Sequence, residues 1–149
     1  MRLSRRELLT AVSLAAVMAA LPVASAQEHA AEGAAPDEAE VARSVELGGL
    51  VFPIFDEKLK LKNYLFVSAR MLAGPGKDVW KYREQQHFIR DAIVQASHKV
   101  SFNVAGNYKK LDEKLAAAEC LKAANAVLRE KDALVSMTFT QIASQLTAA

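Results

Sequence analysis

Cysteine is the scarcest reactive residue in this chain, because Cys120 is the only one among 149 residues. A single cysteine excludes an intramolecular disulfide, a Cys-x-x-Cys redox pair, a thiolate metal cluster and the haem attachment motif. Cys120 lies in an alanine- and leucine-rich segment. We therefore expect a small buried helix residue rather than a reactive thiol or an intermolecular bridge.

Strong charge imbalance and long apolar runs are also missing from most of the chain. The formal net charge is only +2, and the basic residues are too dispersed for a nucleic-acid surface. After residue 26, no apolar run approaches the roughly 20 residues that a membrane-spanning helix needs. The sequence therefore argues against a nucleic-acid partner, and against membrane attachment unless the N-terminus supplies it.

Complete catalytic or metal-binding patterns are absent too. The sequence has no Gly-x-Ser-x-Gly elbow and no phosphate-cradling glycine loop. Glu84 and His87 form Glu-x-x-His, with Asp91 one turn further on, but a di-metal site of this kind needs a second such motif. We interpret these residues as neighbours on a surface helix. The sequence predicts no enzyme, no metal site and no cofactor.

The N-terminus carries the clearest motif. Arg5 and Arg6 precede a mostly apolar run over residues 8–21, and Ala24 and Ala26 form an Ala-x-Ala site. This order is typical of a twin-arginine signal peptide over residues 1–26, cleaved to leave Gln27 as the first residue. The alternative is an uncleaved tether, although the apolar run is short for a span. We expect a periplasmic protein.

An acidic stretch follows the signal. Residues 27–46 contain six acidic residues against one arginine, are rich in alanine and glycine, and include Pro36. Such a composition cannot bury a core. We predict a flexible linker over residues 27–44 and a folded domain over residues 45–149.

Period-two alternation predicts the strands of that domain. Apolar and polar residues alternate over residues 59–72 and again over 134–142. Residues 45–55 are extended in character, but two glycines and Pro53 favour an edge strand. We predict a partner-binding edge there, with Leu50 and Phe52 as its interaction residues.

Helical spacing predicts two long helices, over residues 79–98 and 108–130, with Asp78 capping the first. Four apolar residues should lie between the helices and the sheet: Ile89, Ile93, Leu115 and Leu121. Three aromatic residues at the start of the first helix are expected in the core, with a ligand pocket as the alternative: Trp80, Tyr82 and Phe88. The result is an α+β fold of order β-β-α-α-β, in which two helices pack on a three-stranded antiparallel sheet.

Four segments carry a family resemblance: the strand at residues 64–69, the Ile-Arg-Asp-Ala-Ile segment at 89–93, the helix end around Asn125, and the closing strand around Phe139. Their order and spacing resemble the periplasmic domain of the flagellar basal-body-associated FliL family, which is similar to the stomatin and prohibitin domain. The resemblance covers about residues 45–145 and implies ring formation or a membrane-protein partner. Family members keep a membrane-spanning helix where this chain has a signal of the cleavable type.

Two functional hypotheses remain. The first is a non-enzymatic periplasmic scaffold that forms homo-oligomers or binds a membrane protein, with the flagellar motor as the setting that the resemblance implies. The second is a small-ligand, lipid or metal-binding module that is exported already folded, as passengers of the twin-arginine route are.

Overall fold

The structure is a computed structural model that describes residues 37–146. The predicted signal motif, the cleavage site at Ala24, Ala26 and Gln27, and linker residues 27–36 lie outside the described residues. The elements in chain order are α1 (Glu38–Ala42), β1 (Ser44–Phe55), β2 (Leu61–Ala73), α2 (Val79–Glu84), α3 (Gln86–Lys99), β3 (Asn103–Val104), β4 (Asn107–Leu111), α4 (Glu113–Leu128) and β5 (Leu134–Leu146).

The main sheet has three antiparallel strands in the order β1-β2-β5, so β2 is central and β1 and β5 are the edges. This confirms the predicted α+β class and the predicted edge position of β1. A two-stranded hairpin of β3 and β4 was not expected. It is tied to the main sheet where the side-chain amide of Asn63 donates to the carbonyl of Tyr108 at 2.8 Å.

One face of the sheet and one side of α3 and α4 form the core. The inward side chains of β2 alternate with half-exposed ones, as the period-two pattern predicts. Ile89 and Ile93 are fully buried, which confirms two of the four predicted core residues of the helices. Leu121 packs against the core and is partly buried. Leu115 was wrongly predicted as core, because 37% of it is exposed.

The first predicted helix is two helices. Gln85 has φ −91° and ψ 11°, and its N–H bonds the carbonyl of Lys81, which ends α2 before α3 begins. The second predicted helix starts five residues late, because residues 107–111 pair with β3 instead. Asp112 then caps α4 by accepting the N–H of Leu115 at 3.0 Å, and Asp78 caps α2 as predicted.

A tight turn joins β1 to β2, so β2 begins at Leu61 rather than at residue 59. The Asp56 carboxylate accepts the N–H groups of Lys58 and Lys60, both at 2.9 Å. The bond from Lys60 contributes most to lowering the pKa of Asp56. Leu59 sits in this turn at φ +58°, a left-handed conformation that costs a non-glycine residue about 1 kcal/mol.

Part of the predicted linker is ordered. Residues 38–42 form α1, whose cap is Asp37, and β1 begins one residue before the predicted domain boundary. The side chain of Arg83 on α2 donates to the carbonyls of Val41, Ala42 and Ser44, the last at 2.9 Å. The guanidinium therefore fixes the chain where it enters the sheet.

Candidate functional site

An open groove with a volume of about 580 Å³ lies between α3 and α4. Alanines from both helices form its floor, because short side chains leave the space between the helices unfilled. They are Ala92 and Ala96 on α3 and Ala123 and Ala126 on α4. A groove of this size and lining accepts an apolar chain segment or a small apolar ligand.

Charged residues of both signs line the rim of this groove: Asp91 and Lys99 on α3, and Glu119 and Lys122 on α4. Two acidic and two basic groups leave the rim without a net formal charge. Its electrostatics therefore do not select an anionic or a cationic partner, and apolar contact must provide the binding energy.

Among the large apolar side chains of the groove, Phe88 is the most exposed, with 53% of its surface accessible. Its ring packs on that of its neighbour His87, at 3.9 Å between centroids. Trp80 is also exposed, at 70%, with the Arg83 guanidinium 4.8 Å from its ring centroid. Of the three aromatic residues predicted to be core, only Tyr82 is buried, and the predictions for Trp80 and Phe88 were wrong.

Side chains from α3 and from the segment after it cover both ends of the outer edge of β1. The carbonyl of Glu46 accepts from Gln86, and those of Gly48 and Gly49 accept from Arg90. At the far end of the strand, the hydroxyl of Ser101 accepts the N–H of Phe55 at 3.3 Å. A partner strand would have to displace these groups before it could pair along β1.

The predicted interaction residues on β1 are core residues. Leu50 is 1% exposed and Phe52 is fully buried, with its ring edge-on to Phe102 at 5.1 Å between centroids. The edge assignment is confirmed, but these side chains point into the domain because they lie on the strand's inward face. They are not available to a partner, and their substitution by lysine would disrupt the core.

The break between α2 and α3 divides the Glu-x-x-His motif. Glu84 ends α2 and His87 belongs to α3, so the break at Gln85 removes the one-face spacing that the motif requires. Asp91 instead accepts a hydrogen bond from Gln95 at 2.7 Å. Within residues 37–146, no three histidine, cysteine, aspartate or glutamate side chains cluster closely enough to hold a metal.

Two ionisable side chains, those of Cys120 and Tyr82, are buried in the core. Cys120 is fully buried, as predicted, and burial raises its pKa to about 12. The hydroxyl of Tyr82 donates to Glu130 at 2.8 Å, and burial with this contact raises the pKa of Tyr82 to about 12. Lys77 also donates to Glu130 at 2.8 Å, which lowers the pKa of the carboxyl group. This cluster ties α2 to the segment that follows α4.

A second, smaller groove of about 350 Å³ lies where α3 passes β1. It is lined by apolar residues of β1 and β2, including Val51 and Tyr64, and by Val94 and His98 of α3. One ring nitrogen of His98 lies 2.8 Å from the carbonyl oxygen of Val94, within its own helix. The remaining ring nitrogen is the one polar group that this side chain can direct to a ligand.

Comparisons with protein-family models, curated proteins and solved structures find no match to this chain. Among the described residues, no helix has the length and apolar character needed to cross a membrane.

Proposed function

We propose that this protein is a non-enzymatic assembly domain of the periplasm, which acts by self-association or by binding an envelope membrane protein. The observation that carries this proposal is the exposed ring of Phe88 over the alanine-floored groove between α3 and α4. The FliL-like pattern supports the same class, since it implies ring formation or a membrane-protein partner.

The exposed area of Phe88 gives the free energy that covering this side chain would contribute to association. A phenylalanine buries roughly 200 Å² when fully covered, so covering its exposed half removes about 100 Å² from water. At about 25 cal/mol per Å², this contributes about 2.5 kcal/mol to association. The remaining apolar lining adds to this, and the neutral rim opposes neither an acidic nor a basic partner. An apolar segment of a protein fits these properties.

The second candidate function is binding of a lipid chain or another small apolar ligand. The volume of the α3–α4 groove, about 580 Å³, falls within the range of small-molecule sites. Such sites usually enclose most of their ligand, whereas Phe88 stands largely in solvent and Val127 is also exposed. This open lining favours a macromolecular partner, and a ligand that co-purifies in stoichiometric amount would reverse the choice.

Photo-crosslinking from the groove tests the proposal. A photoreactive phenylalanine analogue at Phe88 should give adducts of discrete mass in envelope preparations. The same analogue at Trp80, an exposed aromatic residue of α2 outside the groove, is the matched control and should give none. Equal adducts from both positions, or none from Phe88, would contradict the proposal.

The export route has its own test. The signal predicts that Arg5→Lys with Arg6→Lys keeps the chain in the cytoplasm, and that the exported chain begins at Gln27. Fractionation with N-terminal mass analysis measures both. An exported double variant would contradict the twin-arginine assignment, and Met1 on the exported protein would contradict cleavage.

A further inference from the structure

The second edge strand, β5, lacks features that keep β1 from pairing with another chain. Lysine, proline and covering side chains are the usual means by which edge strands avoid pairing with other chains. β1 has Pro53 and the contacts from Gln86, Arg90 and Ser101. In contrast, the sequence contains no charged residue and no proline from residue 133 to its end, so β5 contains neither.

Hydrogen bonds from a side chain cover only the start of this edge. The amide of Asn125 bonds both backbone groups of Leu134, at 2.9 Å each. The register then indicates which later residues face outward. Pro53 has no N–H to donate to β2, so its backbone carbonyl points away from β2, toward the outer edge of the sheet. The backbone groups of Val51, two residues before it, point the same way. Phe66, the partner of Val51, therefore turns its backbone groups toward β5.

Phe66 is opposite Ala143, so Ala143 turns its backbone groups toward β2. Its neighbours Ile142 and Ser144 consequently direct theirs away from the sheet, because the direction alternates along an antiparallel strand. Among the described residues, no side chain hydrogen bonds to these outward groups. As far as residues 37–146 are concerned, the second half of β5 is therefore open for main-chain pairing.

The side chains of the same segment are uncovered. α4 packs over the first half of β5, where Met137 and Phe139 are buried. A register shift at Thr140 follows, and every side chain from residue 140 to 145 is exposed. Ile142 is 40% exposed although its partner Val67 is buried. This half-strand is paired along one edge only.

We propose that β5 pairs antiparallel with β5 of a second copy of this chain, which joins two three-stranded sheets into one of six strands. This inference rests on the proposed function and assigns a surface to its self-association. A second copy fits better than another protein because an uncharged strand has no like charges to oppose itself. It also lacks the charges by which different partners are usually selected.

Sedimentation equilibrium of the exported chain tests the proposal. Ile142→Lys and Ser144→Lys place like charges across the two-fold pair and should raise the dimer dissociation constant roughly tenfold or more. Ala118→Lys, at an exposed position of α4, is the matched control and should leave it unchanged. Circular dichroism checks that each variant folds. If Ile142→Lys does not fold, Ser144→Lys alone tests the proposal.

Single cysteines at each of residues 141–145 test the pairing itself. Cys120 is buried, so the unmodified chain serves as the blank. Antiparallel self-pairing predicts one position of maximal disulfide dimer, with the yield falling on both sides. A dimer that persists in both lysine variants, or a flat yield across the five positions, overturns the β5 assignment and leaves the assembly function standing. A monomer that gives adducts at Phe88 also overturns the β5 assignment and leaves the assembly function standing. A monomer without adducts contradicts both the β5 assignment and the assembly function.

Discussion

Replacing Asn125 should reveal how the last strand is attached to the helical layer. The side-chain amide donates to the carbonyl of Leu134 and accepts its N–H, both at 2.9 Å, so it mimics a neighbouring strand. Leu134 is almost fully buried. Asn125→Ala removes both partners, and each buried group left unsatisfied costs about 1–1.5 kcal/mol. Alanine regains about 0.5 kcal/mol of helix propensity, so we expect a net loss of about 2 kcal/mol.

Urea unfolding at a fixed protein concentration measures this loss, since any dimer makes stability depend on concentration. Lys122→Ala, on an exposed part of the same helix, is the control and should change the unfolding free energy by less than about 0.5 kcal/mol. Asn125→Asp retains an acceptor but turns a carboxylate toward the Leu134 carbonyl, so at pH 7 it should cost at least as much as alanine. A loss below about 0.5 kcal/mol for Asn125→Ala would refute the strand-mimic interpretation.

Three further predictions concern the core, a turn and pH. Ile89→Ala should cost about 2–4 kcal/mol in urea unfolding because the side chain is fully buried, whereas Leu115→Ala should cost less than about 1 kcal/mol, and equal costs would contradict the helix orientation. Gly74→Ala should destabilise by about 1–3 kcal/mol because its Cβ would lie 2.5 Å from the Asp132 carbonyl oxygen, and unchanged thermal unfolding would show that the backbone yields freely. The folded-state pKa of Glu130 is lowered from 4.5, so the stabilisation by its carboxylate should be complete above pH 4.5 and disappear as the pH falls through the folded-state pKa. The unfolding free energies of wild type and Glu130→Gln should therefore converge in acid. A difference that does not depend on pH would contradict this.

The sequence predicts the sheet well because its signals are local. Period-two alternation located β2 and β5, the β-branched and aromatic composition of residues 45–55 located β1, and the glycines and Pro53 placed β1 at an edge. The carboxylate of Asp78 identified the start of α2. Side-chain direction on β1 was harder to predict. Leu50 and Phe52 lie on an edge strand, yet the inward face of an edge strand is as buried as that of a central one.

The errors in the helices have separate origins. No glycine or proline marks the break at Gln85, so the residue pattern predicted one continuous helix. On an ideal helix Tyr82 and Ile89 share one face, whereas Trp80 and Phe88 lie off it and were placed in the core on their aromatic character alone. Residues 108–111 have ordinary helical composition, and only their pairing with β3 makes them a strand.

The groove between α3 and α4 was less predictable from the sequence than the sheet or the helices. The alanines of α3 and α4 are visible in the sequence, where they indicate close helix packing. Whether small residues produce contact or a furrow depends on how far apart the sheet holds the two helices. The open edge of β5 had a readable signal, the absence of charge after Asp132, but recognising it required the strand order.

Native mass spectrometry of the protein extracted from the envelope tests the central claim, that this chain works by association. We predict discrete complexes, either multiples of the chain mass or the chain with a second protein, without an added small-molecule mass. A monomer that retains a ligand would contradict the account in favour of a binding module, and a bare monomer at every concentration would contradict both.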